Sequence, residues 1–187
     1  MTTDEYDLIV IGAGGAGSTA AGNAAEMGKH VALIERDKLG GTCLNYGCDP
    51  TKTLLHTASV FYHASHASGL GLRISQAKVD WEVVQAHVRQ VQETIRGGTL
   101  EQASAGIAAQ GIDLFMGEAM FTSPHEIRVN GVTLRSKRFV IATGTVAMIP
   151  EIDGLSKAGY ITNVEAVSLP ELPKRLVVIG GGPIGLE

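Results

Sequence analysis

Cysteine is nearly absent from this chain of 187 residues, which has two, Cys43 and Cys48. Two thiols exclude the dense disulfide scaffold that holds small secreted domains together. No apolar stretch approaches the ~20 residues needed to span a bilayer, so no membrane partner is expected. The formal charge is -4 and there is no basic run, so nothing invites a nucleic-acid backbone. Residues 1–7 are acidic and lead straight into an apolar run, unlike a signal or transit peptide. A reducing, cytoplasmic setting is therefore expected, where persistent cystines are usually catalytic or redox-sensing. The composition is 44% hydrophobic and 18% charged, enough for one well-cored domain or the start of a larger protein.

Glycine is abundant, and many of the 24 glycines fall in short motifs rather than in a linker. Residues 7–11 (DLIVI) fit a buried parallel strand. Gly12, Gly14 and Gly17 then form G-x-G-x-x-G and open an alanine-rich helix closed by Gly28. Residues 30–35 (HVALIE) supply the next strand, ending on Glu35. Strand, glycine turn, helix, strand and acid within about thirty residues is the pattern of a dinucleotide-binding fold. The three glycines serve a tight turn, the approach of a pyrophosphate to the backbone, and close helix–strand packing. Glu35 stands where a carboxylate accepts the hydroxyls of an adenosine ribose and disfavours a 2′-phosphate.

Further along, residues 51–68 have helical spacing, with Leu54, Leu55, Ala58 and Phe61 on one side, until Gly69 and Gly71 break it. A longer helical pattern, capped by Asp80, runs from Trp81 to about Gln110. Residues 112–116 read as a strand. Short strands then follow, with turns at Ser123-Pro124 and Asn130-Gly131, the latter a strong hairpin signal. They predict a small antiparallel ribbon inserted into the nucleotide fold. Residues 139–142 return to a parallel core strand, and a mostly extended connection covers about 150–173. An apolar strand at 175–179 then leads into a second G-x-G-x-x-G at Gly180, Gly182 and Gly185. That reappearance is the sole internal repeat. No helix is expected after it, and the chain reads as part of a longer one.

The cysteines lie just past the ribose-binding position, in GGTCLNYGCDPTK at residues 40–52. Two thiols at this spacing bridge if their Cα atoms come within about 7 Å, which one helical turn or a compact loop allows. Asn45 and Gly47 favour a bend, and Pro50 suits a first helical turn. Cys48 at a helix start would have its thiolate stabilised. Zinc is disfavoured, because four ligands are normally required and no second Cys or His pair stands at ligand spacing. No metal site is expected, and His56, His63 and His66 read as helix-surface residues.

These motifs resemble the N-terminal part of the class I pyridine nucleotide-disulfide oxidoreductases, a family that includes dihydrolipoamide dehydrogenase, glutathione reductase and mercuric reductase. The stretch from Gly40 to Lys52 is similar to the family's redox-active segment, and Gly12, Gly14, Gly17 and Glu35 to its FAD-binding part. The resemblance extends through Thr143 and Gly144 to Gly180, Gly182 and Gly185, the start of the NAD(P)-binding domain. It implies an α/β, Rossmann-like FAD-binding domain at 1–150, with a parallel sheet and a small antiparallel β insertion. A crossover at 151–173 and a truncated NAD(P)-binding domain at 174–187 would follow. It implies electron flow from NAD(P)H through FAD to a Cys43–Cys48 disulfide, and on to a disulfide or metal-ion substrate. Cys48 would lie against the flavin and Cys43 exchange with substrate, with Lys52 approaching the flavin N5 edge. Gly41, Thr42, Ala119, Thr143 and Gly144 would contact the cofactor. A homodimer is implied for the whole protein, and little or no turnover for residues 1–187 alone.

Asp49 and Tyr46 depart from the family's commonest pattern, in which apolar residues follow and precede the flavin-side cysteine region. Two other readings compete with a disulfide reductase. One is a flavoprotein oxidoreductase that does not use the dithiol as a relay. The other is a non-catalytic nucleotide-binding domain.

Overall fold

A bend at Asp7 splits the first extended run into two strands that join different sheets. The computed structural model describes residues 4–187. β1 (Asp4–Tyr6) and β2 (Leu8–Ile11) precede α1 (Gly15–Glu26) and β3 (Val31–Glu35). Next come α2 (Gly41–Tyr46), α3 (Cys48–His66), α4 (Trp81–Arg96) and α5 (Leu100–Ala109). β4 (Ile112–Met116), β5 (Met120–Ser123), β6 (Glu126–Val129), β7 (Val132–Ser136) and β8 (Phe139–Ile141) follow. The short helices α6 (Leu155–Ala158), α7 (Asn163–Ala166) and α8 (Pro183–Leu186) come last.

The described chain forms two compact units. One holds the residues up to Cys43 together with Glu93–Val146, and the other holds Leu44–Gln92 with Ala147–Glu187. In the first, a parallel sheet has the order β4-β3-β2-β8. Leu8 to Ile11 pair with Val31 to Ile34, and Val31 to Glu35 with Ile112 to Met116. The side chains of β3 alternate between two cores. Val31 and Leu33 join Val10, Ala13, Ala21, Leu39 and Ile112 beneath α1, with Ala103 and Ile107 of α5 packed against them. Ala32 and Ile34 join Tyr6 and Ile9 with Ile127, Val129 and Leu134 from the second sheet. A strand covered on both faces is apolar at successive positions, which is why VALI reads as an unbroken run. Each fully buried side chain of this kind contributes about 1.5–3 kcal/mol.

The second sheet, order β1-β7-β6-β5, holds the expected antiparallel ribbon, β5 to β7, with β1 added to it as a parallel strand. β5, β6 and β7 are antiparallel, and the Asn130-Gly131 turn has φ +48° and +80°, the pair a two-residue hairpin requires. β1 adds to β7 in parallel, through Asp4 to Tyr6 beside Leu134 to Ser136. Tyr6 faces the same core as Ile127 and Leu134, so its burial selects this long-range pairing.

Four other expectations change. The long helix from Trp81 breaks at Gly97 and Gly98, both at positive φ, and α5 restarts with a capping box between Thr99 and Gln102. Two such glycines end one helix, and the cap satisfies the first donors of the next. The connection after residue 150 contains α6 and α7 rather than being wholly extended. Residues 176–179 form no strand, because none of the described residues pairs with them in a ladder. Past Gly182, where no helix was expected, the chain forms the turn α8.

In the second unit, Asp80 caps α4, its carboxylate accepting from the Val83 amide at 3.2 Å. One face of α4 then reaches the segment after α7. The Trp81 indole donates to the Leu169 carbonyl at 2.9 Å and the Gln85 amide to the Val167 carbonyl at 3.4 Å.

Candidate active site: a glycine cradle and a dithiol segment

Gly12 leaves β2 at φ +103°. A Cβ there would strike the Ala142 carbonyl and stand 3.3 Å from Thr143 Cα. At Gly17 a Cβ would run into the Gly12 carbonyl. Gly14, extended at φ -78°, caps α1 and, as a glycine, brings no side chain of its own to that helix start. The first-turn N–H groups of a helix have no partner within it, which is why such a turn suits an anion. Gly41, at φ +65°, closes on the same turn, where a Cβ would lie 2.6 Å from Gly14 Cα. The Gly40 amide donates to the Ala13 carbonyl at 3.0 Å.

Glu35 fixes this turn from the end of β3. Its carboxylate, 9% exposed, accepts from the Ala13 amide at 2.8 Å and the Asp37 amide at 2.9 Å. Each oxygen takes one backbone donor and keeps a lone pair for a further hydroxyl. The Glu35 carbonyl also accepts from the Gly117 amide at 2.7 Å, which ties in the loop after β4. Ala119 lies half-buried there, beside a shallow cavity lined by Glu118, Arg128 and Asn130. The Ala142 amide donates to Ile11 at 2.8 Å, and Thr143 and Gly144 follow, exposed. Gly12, Gly14, Gly17, Glu35, Gly41, Ala119, Thr143 and Gly144 thus gather at the carboxyl ends of four parallel strands. The chain moves outward from β2 to β3 and β4 on one side, and β8 flanks β2 on the other. Ligands of open α/β sheets bind at such a reversal.

The dithiol segment runs on from this cradle. Thr42 and Cys43 are exposed on α2. Gly47, at φ -138° and ψ -111°, breaks the helix, and Cys48 opens the 19-residue α3. Cys48 is exposed while Pro50, in the same turn, is buried. The predicted helix start at Cys48 is therefore present, although Asn45 sits inside α2 rather than in the bend. The Lys52 ammonium forms an ion pair with Glu187, a partner sequence reasoning missed. The signal was an acid two places past the second fingerprint.

That second fingerprint repeats the geometry of the first. Gly180 has φ +118°, Gly182 caps α8 in an extended conformation, and a Cβ at Gly185 would run into the Gly180 carbonyl. Also missed were Gln92 and Asn163. Gln92 Nε2 donates to the Leu44 and Asn45 carbonyls at 3.0 and 3.1 Å, and Asn163 Nδ2 to the Tyr46 carbonyl at 2.9 Å. Two carboxylates are held below the ordinary range. Glu126 is held by the Thr122 hydroxyl and then Arg135, and Glu165 by the Thr162 hydroxyl and then backbone N–H groups.

The strand order and glycine turn define a Rossmann-like α/β fold. The family described as pyridine nucleotide-disulphide oxidoreductase matches residues 6–187. The chain belongs to that family, whose members are flavin-dependent enzymes. It is 39% identical over 187 residues to the mercuric reductase of Lysinibacillus sphaericus, covering all of this chain and 34% of that one. With the dihydrolipoyl dehydrogenase of Acholeplasma laidlawii the identity is 35%, over 98% of this chain and 55% of the relative. The HOCl-induced flavoprotein disulfide reductase RclA from Escherichia coli superposes with a TM-score of 0.79 at 31% identity. That match covers 97% of this chain and 38% of RclA. The chain thus spans between about a third and about half the length of these relatives.

Proposed function

We propose that the protein is the FAD-binding and dithiol-bearing part of an NAD(P)H-dependent disulfide oxidoreductase. The observation that carries this reading is the run from Gly40 to Lys52. It leaves a glycine cradle a Cβ would fill, and within a few residues presents two exposed cysteines, the second at a helix start. The cradle fits a dinucleotide: Gly12, Gly14, Gly17 and Gly41 leave room for a pyrophosphate, and Thr42 stands beside them. Glu35 would hold the ribose, and the backbone near Ala119 the adenine. Thr143 and Gly144 would flank the cofactor. FAD, held there, would supply the two-electron relay between NAD(P)H and the Cys43–Cys48 disulfide.

The thiols carry the remaining chemistry. The Cys43 thiolate attacks a disulfide substrate, forms a mixed disulfide and releases one thiol. The Cys48 thiolate then attacks Cys43 Sγ, closes the Cys43–Cys48 disulfide and releases the second thiol. Two electrons restore the pair. Cys48, at the start of α3, would take the flavin-side role. Lys52, paired with Glu187, would hold a positive charge toward reduced cofactor. Gly180, Gly182 and Gly185 would begin the NAD(P) site, with 1–150 the FAD-binding domain and 151–173 the crossover. The substrate class is a small disulfide or a soft metal ion that thiolates bind. The whole protein would be a homodimer in the reducing cytoplasm.

Alkylation of the reduced full-length protein tests the roles of the cysteines. Cys43 should label first, and Cys43→Ser and Cys48→Ser should each lower disulfide reduction at least a hundredfold. Preferential labelling of Cys48 would reverse the roles. Turnover that survives both substitutions would remove the dithiol from the reaction.

A further inference from the structure

Helices leave their last carbonyls without partners along the helix. In α2 those carbonyls, of Leu44, Asn45 and Tyr46, belong to the residues between the two cysteines, with Gly47 alone following before Cys48. All three are met from outside. Gln92 of α4 spends both amide hydrogens on Leu44 and Asn45, and Asn163 of α7 gives one to Tyr46. Leu44 is buried, at 6% exposed, and weakening the bond its carbonyl accepts from Gln92 in such surroundings carries a desolvation cost. Asn163 is itself held by the capping box of α7, in which Glu165 and Thr162 bond reciprocally. Two elements distant in sequence thus converge on the one short segment that separates the thiols.

We infer that Gln92 and Asn163 are positioning residues that hold residues 44–46 helical and thereby set the thiol–disulfide equilibrium of Cys43 and Cys48. This rests on the dithiol reading proposed above. Closing a disulfide across a flexible segment requires ordering that segment, at a cost in chain entropy. With the carbonyls clamped, that ordering is complete before the sulfurs meet, so the effective concentration of one thiol at the other rises. Nothing in this role touches substrate or cofactor.

The test equilibrates the full-length protein with glutathione buffers and counts alkylated thiols by mass spectrometry. One glutathione disulfide oxidises Cys43 and Cys48 to their cystine and leaves as two glutathiones. Gln92→Met keeps the length and helix propensity of glutamine but removes the donor. It should lower the equilibrium constant about tenfold, the net worth of a hydrogen bond, and hasten amide exchange over residues 45–51. Asn163→Leu should act in the same direction, and Gln92→Lys, which restores a donor, should recover most of the loss. Gln85→Met breaks a comparable bond from the same helix to Val167, outside the segment, and should change the constant less than twofold. An unchanged constant or unchanged exchange in Gln92→Met overturns the inference alone, as does an equal shift in Gln85→Met. Failure of the wild type to form the disulfide overturns the dithiol reading and this inference together.

Discussion

At the scale of single residues, the glycine turn works by what is missing from it. A methyl at Gly17 would occupy the position of the Gly12 carbonyl, and neither backbone can yield without opening the β2–α1 junction. Gly17→Ala should destabilise the fold by about 1–3 kcal/mol, as forced overpacking does. Under the proposed function, the flavin absorbance of the purified full-length protein should fall in proportion. Denaturant titration and the visible spectrum together check this. Glu35 is buried and satisfies two amides, so Glu35→Gln places an N–H₂ against one donor. The cost should be about 1–3 kcal/mol, visible as a lower denaturation midpoint even without cofactor.

Elements here begin and end on identifiable side chains. Thr99 accepts from the Gln102 amide while the Gln102 side chain accepts from Thr99, and the helix they start packs Ala103 and Ile107 on the parallel sheet. Thr99→Ala should cost about 1 kcal/mol, measured as the loss in unfolding free energy. The α7 turn depends on pH through Glu165. Its folded carboxyl lies below the ordinary value of about 4.3, because it accepts from the Thr162 hydroxyl first and then from backbone N–H groups. Its contribution is therefore complete above the unfolded value and lost as pH falls through the folded one. Amide exchange at Ala166, corrected for intrinsic rate, should accelerate as the solution is acidified through that range and stay constant above it. Glu165→Gln should abolish the dependence.

Across the whole molecule, protection is expected to follow pairing. Ile9, Val10, Val31 and Ala32 are wholly buried in a sheet paired on both sides, and their amides should exchange only on global unfolding. Residues 146–152 and 174–181 lie outside every ladder, with Val146, Met148 and Val177 more than four-fifths exposed. Their amides should exchange orders of magnitude faster. Protection of residues 176–179 equal to that of β3 would mean that they pair as a strand after all.

Local chemistry by itself determined much of this protein. G-x-G-x-x-G after an apolar strand, the acid closing the next strand, Asn-Gly at a hairpin and cysteine at a helix start each act through neighbours in the chain, so all were legible in sequence. The second fingerprint, built from the same residues, takes the same turn. Tertiary structure alone decided the rest. The partner of β1 is β7, more than a hundred residues away, and burial of Tyr6 rather than strand propensity selects it. Gln92 and Asn163 look like ordinary surface amides in sequence; only folding brings them to the carbonyls of Leu44, Asn45 and Tyr46. Lys52 likewise carries no mark of Glu187. Periodicity records which face of an element is apolar, but it holds no information about which distant donor will meet an unpaired acceptor.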